Sequence, residues 1–235
     1  MPGIYDARIF GLTLSVAADG LTVTVGTGSA YVPDAGRMFV TAPISVVIAN
    51  PVANTWRHVY IGPNSQIQVV ATAPAEPYME TARCMTGNTA WRYLGSIRIG
   101  ADAKALPFLH TQPGAQGNQI EYLGVNQLMN TALLALSLGS LNTPTLIQMG
   151  AYLPPTTRRV RAWFENLSTA IAYIGNPDLG EVTATNHRLA IRAGHPGVAD
   201  LVLCSAAQTL QYRMSAALVL GNGLTMRVIG YTFDR

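Results

Sequence analysis

Charged side chains are scarce in this sequence. Only 11% of its 235 residues are Asp, Glu, Lys or Arg, against about 25% in an ordinary globular protein. Lys104 is the only lysine, so nearly all of the positive charge is carried by arginine. Because so few charges protect the surface against association, we expect a homo-oligomer, with a trimer favoured.

The sequence also lacks basic clusters of nucleic-acid-binding type and long apolar runs. Arg158, Arg159 and Arg161 form the densest basic stretch, but their surroundings are neither glycine-rich nor RNP-like. Arginines at an interface or strand edge explain them better. The most apolar stretch, 128–141, has 14 residues, several of them polar, and is too short to span a bilayer. We therefore expect no nucleic-acid partner and no membrane insertion.

Cysteine is nearly absent, and the start of the chain has no secretory signal. Cys84 and Cys204 are the two cysteines, and they form no CxxC or zinc-binding pattern. We expect both to be free and half-buried, with a disulfide between them as the alternative. Residues 1–6 have neither a basic start nor an apolar run, which predicts synthesis in a cytosol.

Catalytic motifs are missing as well. The sequence contains no Gly-x-Ser-x-Gly elbow, and Lys104 has no P-loop context. Gly26-Thr27-Gly28 is followed by Tyr31, where a dinucleotide fingerprint needs glycine, so it predicts a turn between strands. We expect a protein that is not an enzyme, with no catalytic, cofactor-binding or metal-binding residues and no cofactor.

Two pairs of residues argue against that expectation. Glu76 and Glu80 are spaced for a carboxylate pair of glycosidase type, although glutamates in a proline-rich loop are usually solvated. His187 and His195 lie in turn-rich sequence where they can approach each other and hold a metal ion. Surface polar histidines are the usual explanation of such a pair, and the same holds for His58 and His110.

The tryptophans and one glycosylation sequon complete the candidates. Trp56, Trp91 and Trp163 can stack on sugars, but their alternating neighbours favour anchors in a core or interface. Asn166-Leu167-Ser168 matches a glycosylation sequon, which has no consequence in a chain without a secretory signal.

Alternation of apolar and polar residues predicts an all-β protein. The stretch 56–98 has aromatic strands at both ends and predicts a β meander, and short strands separated by turn residues continue to the end of the chain. We expect two β-sandwich or jelly-roll-like modules, 1–112 and 145–235, joined by a linker, 113–144. Within the linker, 126–141 favours a short helix, with a leucine-rich strand as the alternative.

The last 26 residues predict a hairpin that is central to the second module. Large residues recur at every second position in 210–220, and again from 224. Gly221-Asn222-Gly223 between them supplies the positive-φ positions of a tight turn.

The first half contains a series of packing motifs, and residues 20–110 resemble a module of bacteriophage virion proteins of the tail-fibre and baseplate-associated type. The residues that carry the resemblance are Gly28-Ser29-Ala30-Tyr31-Val32-Pro33, Ala35-Gly36-Arg37, Trp56-Arg57-His58-Val59-Tyr60-Ile61, Pro74-Ala75-Glu76-Pro77-Tyr78, Arg92-Tyr93-Leu94-Gly95-Ser96-Ile97-Arg98 and Phe108. The ending Val228–Arg235 is similar to that of trimeric β-sandwich fibre heads.

The resemblance implies a structural protein of the virion, assembled in the cytoplasm of a bacterial host. Its implied partners are copies of itself, other virion proteins, and a glycan or receptor on the host surface. A tail fibre or baseplate component for host attachment is the first reading. A capsid decoration or head-fibre protein is the alternative, and an enzyme acting on surface polysaccharide is a third reading that the low charge disfavours.

Overall fold

The structure is a computed structural model that describes residues 8–112, 117–123, 133–203, 208–219 and 221–235. Strands contain 52% of the residues and helices 3%, and no helix among the described residues has seven residues or more. The predicted all-β class is therefore confirmed. No helix in these ranges has the length and apolarity needed to cross a membrane.

The chain divides into two compact units. Unit 1 comprises residues 1–124 and Phe233–Arg235, and unit 2 comprises residues 125–232. The domain boundaries expected from the sequence, at 112 and 144, stay a prediction. The interval between them nevertheless contains regular structure, because two strands lie within it: β12 (Asn118–Tyr122) and β13 (Leu134–Gly139).

Unit 1 is built from short antiparallel ribbons and one larger sheet. Its first six strands are β1 (Phe10–Gly11), β2 (Leu14–Val16), β3 (Thr22–Val25), β4 (Gly28–Val32), β5 (Gly36–Val40) and β6 (Ile44–Val47). They form two three-stranded sheets, β1-β4-β5 and β2-β3-β6. Gly26-Thr27-Gly28 joins β3 to β4, as the turn prediction requires.

The stretch predicted as a meander forms the four-stranded sheet of unit 1, but its topology is not that of a meander, because its two aromatic end strands pair with each other. Its strands are β7 (Trp56–Ile61), β8 (Ile67–Val70), β9 (Cys84–Met85) and β10 (Asn88–Arg98), in the order β8-β7-β10-β9. The turn between β7 and β8 contains Asn64 with a φ of 56°, a conformation that asparagine tolerates. Strand β11 (Phe108–Thr111) pairs with β12.

A β-bulge explains one of the packing motifs. The register between β10 and β7 shifts between Tyr93 and Gly95, so Leu94 is an extra residue on β10. A methyl group at Gly95 would lie 2.8 Å from the side chain of Leu14. The Arg-Tyr-Leu-Gly sequence is therefore a bulge followed by a position where any larger residue would force the side chain of Leu14 to shift.

Unit 2 contains two groups of strands in addition to β13. They are β14 (Thr145–Gln148), β15 (Thr157–Asn166), β16 (Ala172–Gly175), β17 (Leu189–Ile191), β18 (Pro196–Val202), β19 (Thr209–Met214) and β20 (Leu224–Phe233, whose last residue is counted with unit 1). One group has the order β20-β15-β18, with β13 paired to β20, and the other has the order β14-β19-β16-β17. Alternate residues of β15 are buried from Val160 to Asn166, which gives this strand one core face.

The helix expected in 126–141 is wrong for the part that the structure describes. Residues 134–139 form β13 and pair with β20, whereas 126–132 lie outside the described residues. Leu138 has a φ of 50°, which no α-helix accommodates. Pairing with β20 thus overrides the helix propensity of these leucines.

The predicted C-terminal hairpin is also wrong. β19 ends at Met214 and pairs with β14 and β16, whereas β20 pairs with β13 and neighbours β15. The two stretches belong to different sheets, although Gly221-Asn222-Gly223 still separates them. Both stretches present apolar residues at period two, so their pattern is compatible with pairing to each other or to other strands.

Candidate functional site

The carboxylate and histidine pairs considered from the sequence lie at the surface of the protein. Glu76 and Glu80 are exposed, and a Glu76 carboxylate oxygen lies 3.7 Å from Arg83. His187 and His195 are exposed as well, and their nearest polar contacts are with backbone oxygens. In the ranges that the structure describes, no three His, Cys, Asp or Glu side chains are grouped to hold a metal ion.

His58, expected at the surface, is instead buried in a polar chain inside unit 1. Its Nδ1 lies 2.7 Å from Ser96 Oγ, which lies 2.7 Å from the hydroxyl of Tyr93. The serine–histidine contact resembles that of a nucleophile and its base, but Ser96 is only 1% exposed. Burial, followed by the charge of Arg57, lowers the pKa of His58 to about 4. The hydrogen-bonded side chains of His58, Ser96 and Tyr93 are therefore part of the core of unit 1 and not a reactive centre.

His110 is the second buried histidine that was expected at the surface. Its Nδ1 accepts a hydrogen bond from the Leu14 backbone N–H at 2.9 Å, and its Nε2 lies 3.3 Å from Asn118 Oδ1. This arrangement fits the neutral tautomer with the proton on Nε2. Burial lowers its pKa to about 3, and the charge of Arg235 adds to this effect.

Buried arginines are a feature of unit 1 that the sequence did not predict. Burial lowers the pKa of Arg92 and of Arg235. Hydrogen bonds to carbonyl oxygens offset part of the cost of burying such charges. In each case a guanidinium N–H donates to a backbone carbonyl oxygen: Arg57 to Asn50 at 2.8 Å, Arg92 to Arg83 at 2.8 Å, Arg98 to Asn54 at 2.7 Å, and Arg235 to Leu12 at 2.8 Å.

The arginines near 160 lie on β15. This strand has β20 on one side and β18 on the other, so these arginines are not at a strand edge. Arg158 and Arg159 are exposed, and Arg161 lies opposite Asp200 of β18. Their predicted role at an interface stays a prediction.

The tryptophans are half-buried and make intramolecular contacts. The guanidinium of Arg98 lies 5.4 Å from the ring centre of Trp56, within cation–π range. Trp91 covers Gly62, where a methyl group would lie 2.7 Å from its ring. Trp163 shares one face of β15 with Arg161.

Cys84 is buried and free, and burial raises its pKa to about 11. It is therefore a thiol at neutral pH, without the reactivity of a thiolate. Cys204 lies outside the described residues.

An exposed aromatic surface on unit 1 is the feature best suited to binding. On the sheet β1-β4-β5, Phe10 lies opposite Ser29, and Ser29 lies opposite Phe39. Tyr31 and Arg37 form the next pair on the same side. We call these five residues the aromatic face. Phe10 is 54% exposed and Phe39 is 62% exposed.

The sheet packs its opposite side into the core of unit 1. Ala30, Val32 and Val40 alternate with the residues of the aromatic face and are buried. The positions of Phe10 and Phe39 at the surface are therefore a consequence of the register of this sheet. Alternation in 29–32 and in 37–40 divides each strand into two sides, but only the register between the strands places Tyr31 and Phe39 on the same side, and only packing decides which side is buried.

Arg37 is held in place within the aromatic face. Its guanidinium carbon lies 5.8 Å from the ring centre of Phe10, and its Nη1 donates to Ser29 Oγ at 3.3 Å. These contacts orient a positive, planar group beside two exposed rings. Such a surface can hold an apolar ring face.

A cleft of 580 Å³ in unit 2 is the second candidate. It lies beside the end of β18, and its walls combine Leu201 and Leu203 with Asp178, Arg188 and Asp200. Charges of both signs line it, so the electrostatics select no ligand charge.

No protein-family model matches this chain, and no curated protein matches it.

Proposed function

We propose that this chain is a non-enzymatic structural protein of a bacteriophage virion, a tail-fibre or baseplate component that contributes to host attachment. It acts as a homo-oligomer, with a trimer favoured. The packing motifs of residues 20–110 support the virion setting. In the structure these motifs form a bulge in β10 and contain buried arginines that donate to carbonyl oxygens. Both features are typical of a rigid framework.

The aromatic face is the observation that carries the attachment role. Two large apolar rings are more than half exposed on one sheet, beside an oriented arginine. Clustered exposed apolar residues rimmed by polar groups are typical of interaction sites. The serine–histidine contact, which would otherwise favour an enzyme, lies inside the core.

Immunogold labelling of intact particles tests this function. An antibody against the purified protein should place gold on the tails, and prior absorption of the antibody with the protein should remove the label. Gold on the heads would instead support the capsid decoration role. Unlabelled particles, with the antibody shown to recognise the protein on a blot of disrupted particles, would contradict the proposal of a surface virion protein.

A further inference from the structure

We infer that the outer edge of β18 binds an extended peptide segment, which pairs antiparallel with this strand and places an apolar side chain in the cleft of unit 2. The inference goes beyond the proposed function. It follows from the hydrogen-bonding groups of the strand and from the walls of the cleft.

The backbone of β18 pairs with another strand on one side only in the part of the chain that the structure describes. It is the last strand of its group, and its partner is β15. At the two ends of this ladder, Asn166 N–H donates to His195 O at 3.1 Å, and Leu203 N–H donates to Arg158 O at 3.3 Å. Hydrogen-bonded pairs alternate along an antiparallel ladder. The odd-numbered residues of β18 therefore face β15, and the even-numbered residues direct their backbone groups outward.

Several outward backbone groups have no partner among the described residues. They are the N–H and C=O groups of Val198 and Asp200 and the N–H group of Val202. The C=O group of Val202 accepts from Asn176 Nδ2 at 3.4 Å. The three strand residues are exposed, so the edge is open to a ligand. Donors and acceptors that alternate along an extended strand match the backbone of another extended strand.

The cleft of 580 Å³ lies beside the second half of this edge. Residues 200–203 line it on one side, and Asn176 and Leu179 line it on another. Since Asn176 hydrogen-bonds to the outward C=O group of Val202, the second wall lies beyond the edge of the strand. Leu210 adds to the apolar lining. A cleft of this size is typical of ligand-binding pockets, and it can take a side chain of a strand that pairs with β18.

The side chains of β18 define the side chains that suit the peptide. Val198, Asp200 and Val202 share the exposed side of the strand, and the peptide residues opposite them lie on that side as well. β-Branched residues suit the two valines, and the hydroxyl of a threonine can donate to the carboxylate of Asp200. The intervening peptide residues point to the side of Leu201, which lines the cleft, so an apolar residue is favoured there.

Asp200 and Pro196 disfavour a second copy of β18 as the occupant. A two-fold axis at Asp200 would place two carboxylates opposite each other, which is destabilising. A shift of the axis toward the start of the strand brings Pro196 into the ladder, where its missing N–H removes a hydrogen bond. A shift the other way leaves only residues 200–202 to pair. Charged residues and prolines of this kind protect edges against self-pairing, whereas a separate peptide meets neither obstacle.

Hydrogen exchange of the full-length protein with a capped heptapeptide, Lys-Val-Leu-Thr-Thr-Val-Lys, tests the inference. The peptide is designed so that its two valines and its first threonine lie opposite the exposed residues of β18, and its leucine lies opposite Leu201. Exchange in residues 198–202 should be fast without the peptide and slow with it. The protection should saturate below about 1 mM peptide.

Two N-methylated peptides separate backbone recognition from side-chain contact. Methylation of both valines and of the first threonine blocks the N–H groups that would face β18, and should abolish the protection. Methylation of the leucine, the second threonine and the last lysine blocks the same number of N–H groups on the other edge. This matched control should protect residues 198–202 as the unmodified peptide does.

Two variants of the protein test the same edge. Val198→Pro removes an outward N–H group that β15 does not use, a position at which proline is tolerated, and should weaken binding about tenfold or more. Val198→Thr keeps the N–H group and the β-branched side chain, and should bind as the wild type does. Melting curves establish that each variant is folded.

Several outcomes would overturn the inference. They are no protection of residues 198–202 by the unmodified peptide, equal protection by the two methylated peptides, and unchanged binding by folded Val198→Pro. A lower oligomer mass of Val198→Pro, measured by light scattering, would instead assign the edge to contacts between copies. Particle labelling is independent of these results, so gold on the tails without peptide binding leaves the proposed function in place and rejects this site.

Discussion

Asn166 joins three segments of unit 2 through one side-chain amide. Its Nδ2 donates to Ala170 O at 2.7 Å, Ile191 O at 3.1 Å and Arg192 O at 3.2 Å. Its Oδ1 accepts from the hydroxyl of Ser168 at 2.7 Å. The asparagine of the predicted sequon is fully buried and fixes the end of β15.

Asn166→Asp should destabilise unit 2 severely. The new carboxylate would have a negative oxygen facing carbonyl oxygens where Nδ2 now donates, which we expect to lower the free energy of unfolding by about 3 kcal/mol or more. Urea denaturation measures the change. Asn222→Asp makes the same replacement at an exposed site and should cost little. Equal stability of the two variants would contradict this role.

The buried histidines should make unit 1 sensitive to mild acid. His58 and His110 have native pKa values of about 4 and about 3, below the ordinary 6.5. The unfolded chain therefore takes up protons first, and stability present above pH 6.5 is lost as the pH falls. Each histidine should contribute a slope of about 1.4 kcal/mol per pH unit.

Denaturant unfolding between pH 7.5 and about 5, above the ordinary carboxyl pKa values, measures this slope. Stability that does not vary over this window would show that the two imidazoles have the same pKa in the folded and the unfolded protein, and would contradict the lowered values.

The residues of β20 are divided between the two units. The expected effect of removing the C-terminal residues therefore differs from the one that the hairpin prediction implies. The hairpin model predicts that removal of residues 228–235 affects only the second module. In the structure, most of β20 belongs to unit 2, whereas Phe233 and Arg235 belong to unit 1. There, Phe233 contacts the rings of Tyr93 and His110.

Loss of the Arg235 side chain alone should therefore weaken unit 1. This guanidinium donates to Leu12 O at 2.8 Å, to Leu94 O at 3.3 Å and to Gly11 O at 2.6 Å. Arg235→Ala would leave buried carbonyl oxygens unsatisfied, at about 1–3 kcal/mol for each. Hydrogen exchange read by mass spectrometry should show faster exchange in β2 and β10. Arg159→Ala, on an exposed side chain, is the control, and protection equal to that control would contradict the role of Arg235.

The whole molecule carries apolar residues at its surface and few charges, since only 11% of its residues are charged. So few charges give little protection against association. Large exposed apolar residues occur in both units, including Val47 (68%) and Val52 (55%) in unit 1 and Val198 (54%) in unit 2. Closed cyclic symmetry would cover such residues.

Light scattering at micromolar concentration should give three times the 25.0 kDa of one chain. Salt should change this mass little, because apolar contacts are not screened. A mass of 25.0 kDa throughout the concentration range would contradict the trimer.

The sequence by itself determined the all-β class and most of the strands. Alternation at period two, with turns rich in Gly, Pro and Asn, is a local property that needs no knowledge of partners. The strands at the two ends of the stretch from Trp56 to Arg98 were predicted for this reason, whereas their pairing with each other was not. The glycine at position 95 was recognised as a motif, but its cause, the side chain of Leu14, lies far away in the sequence.

Only the tertiary structure decided which strands pair and which polar residues are buried. β19 and β20 carry similar alternation but belong to different sheets, because pairing depends on every competing strand. Burial of Arg92, His58 and Asn166 depends on carbonyl and hydroxyl partners that distant segments supply. The exposure of the aromatic face has the same origin, since alternation defines two sides of a sheet and only packing selects the one that faces the solvent.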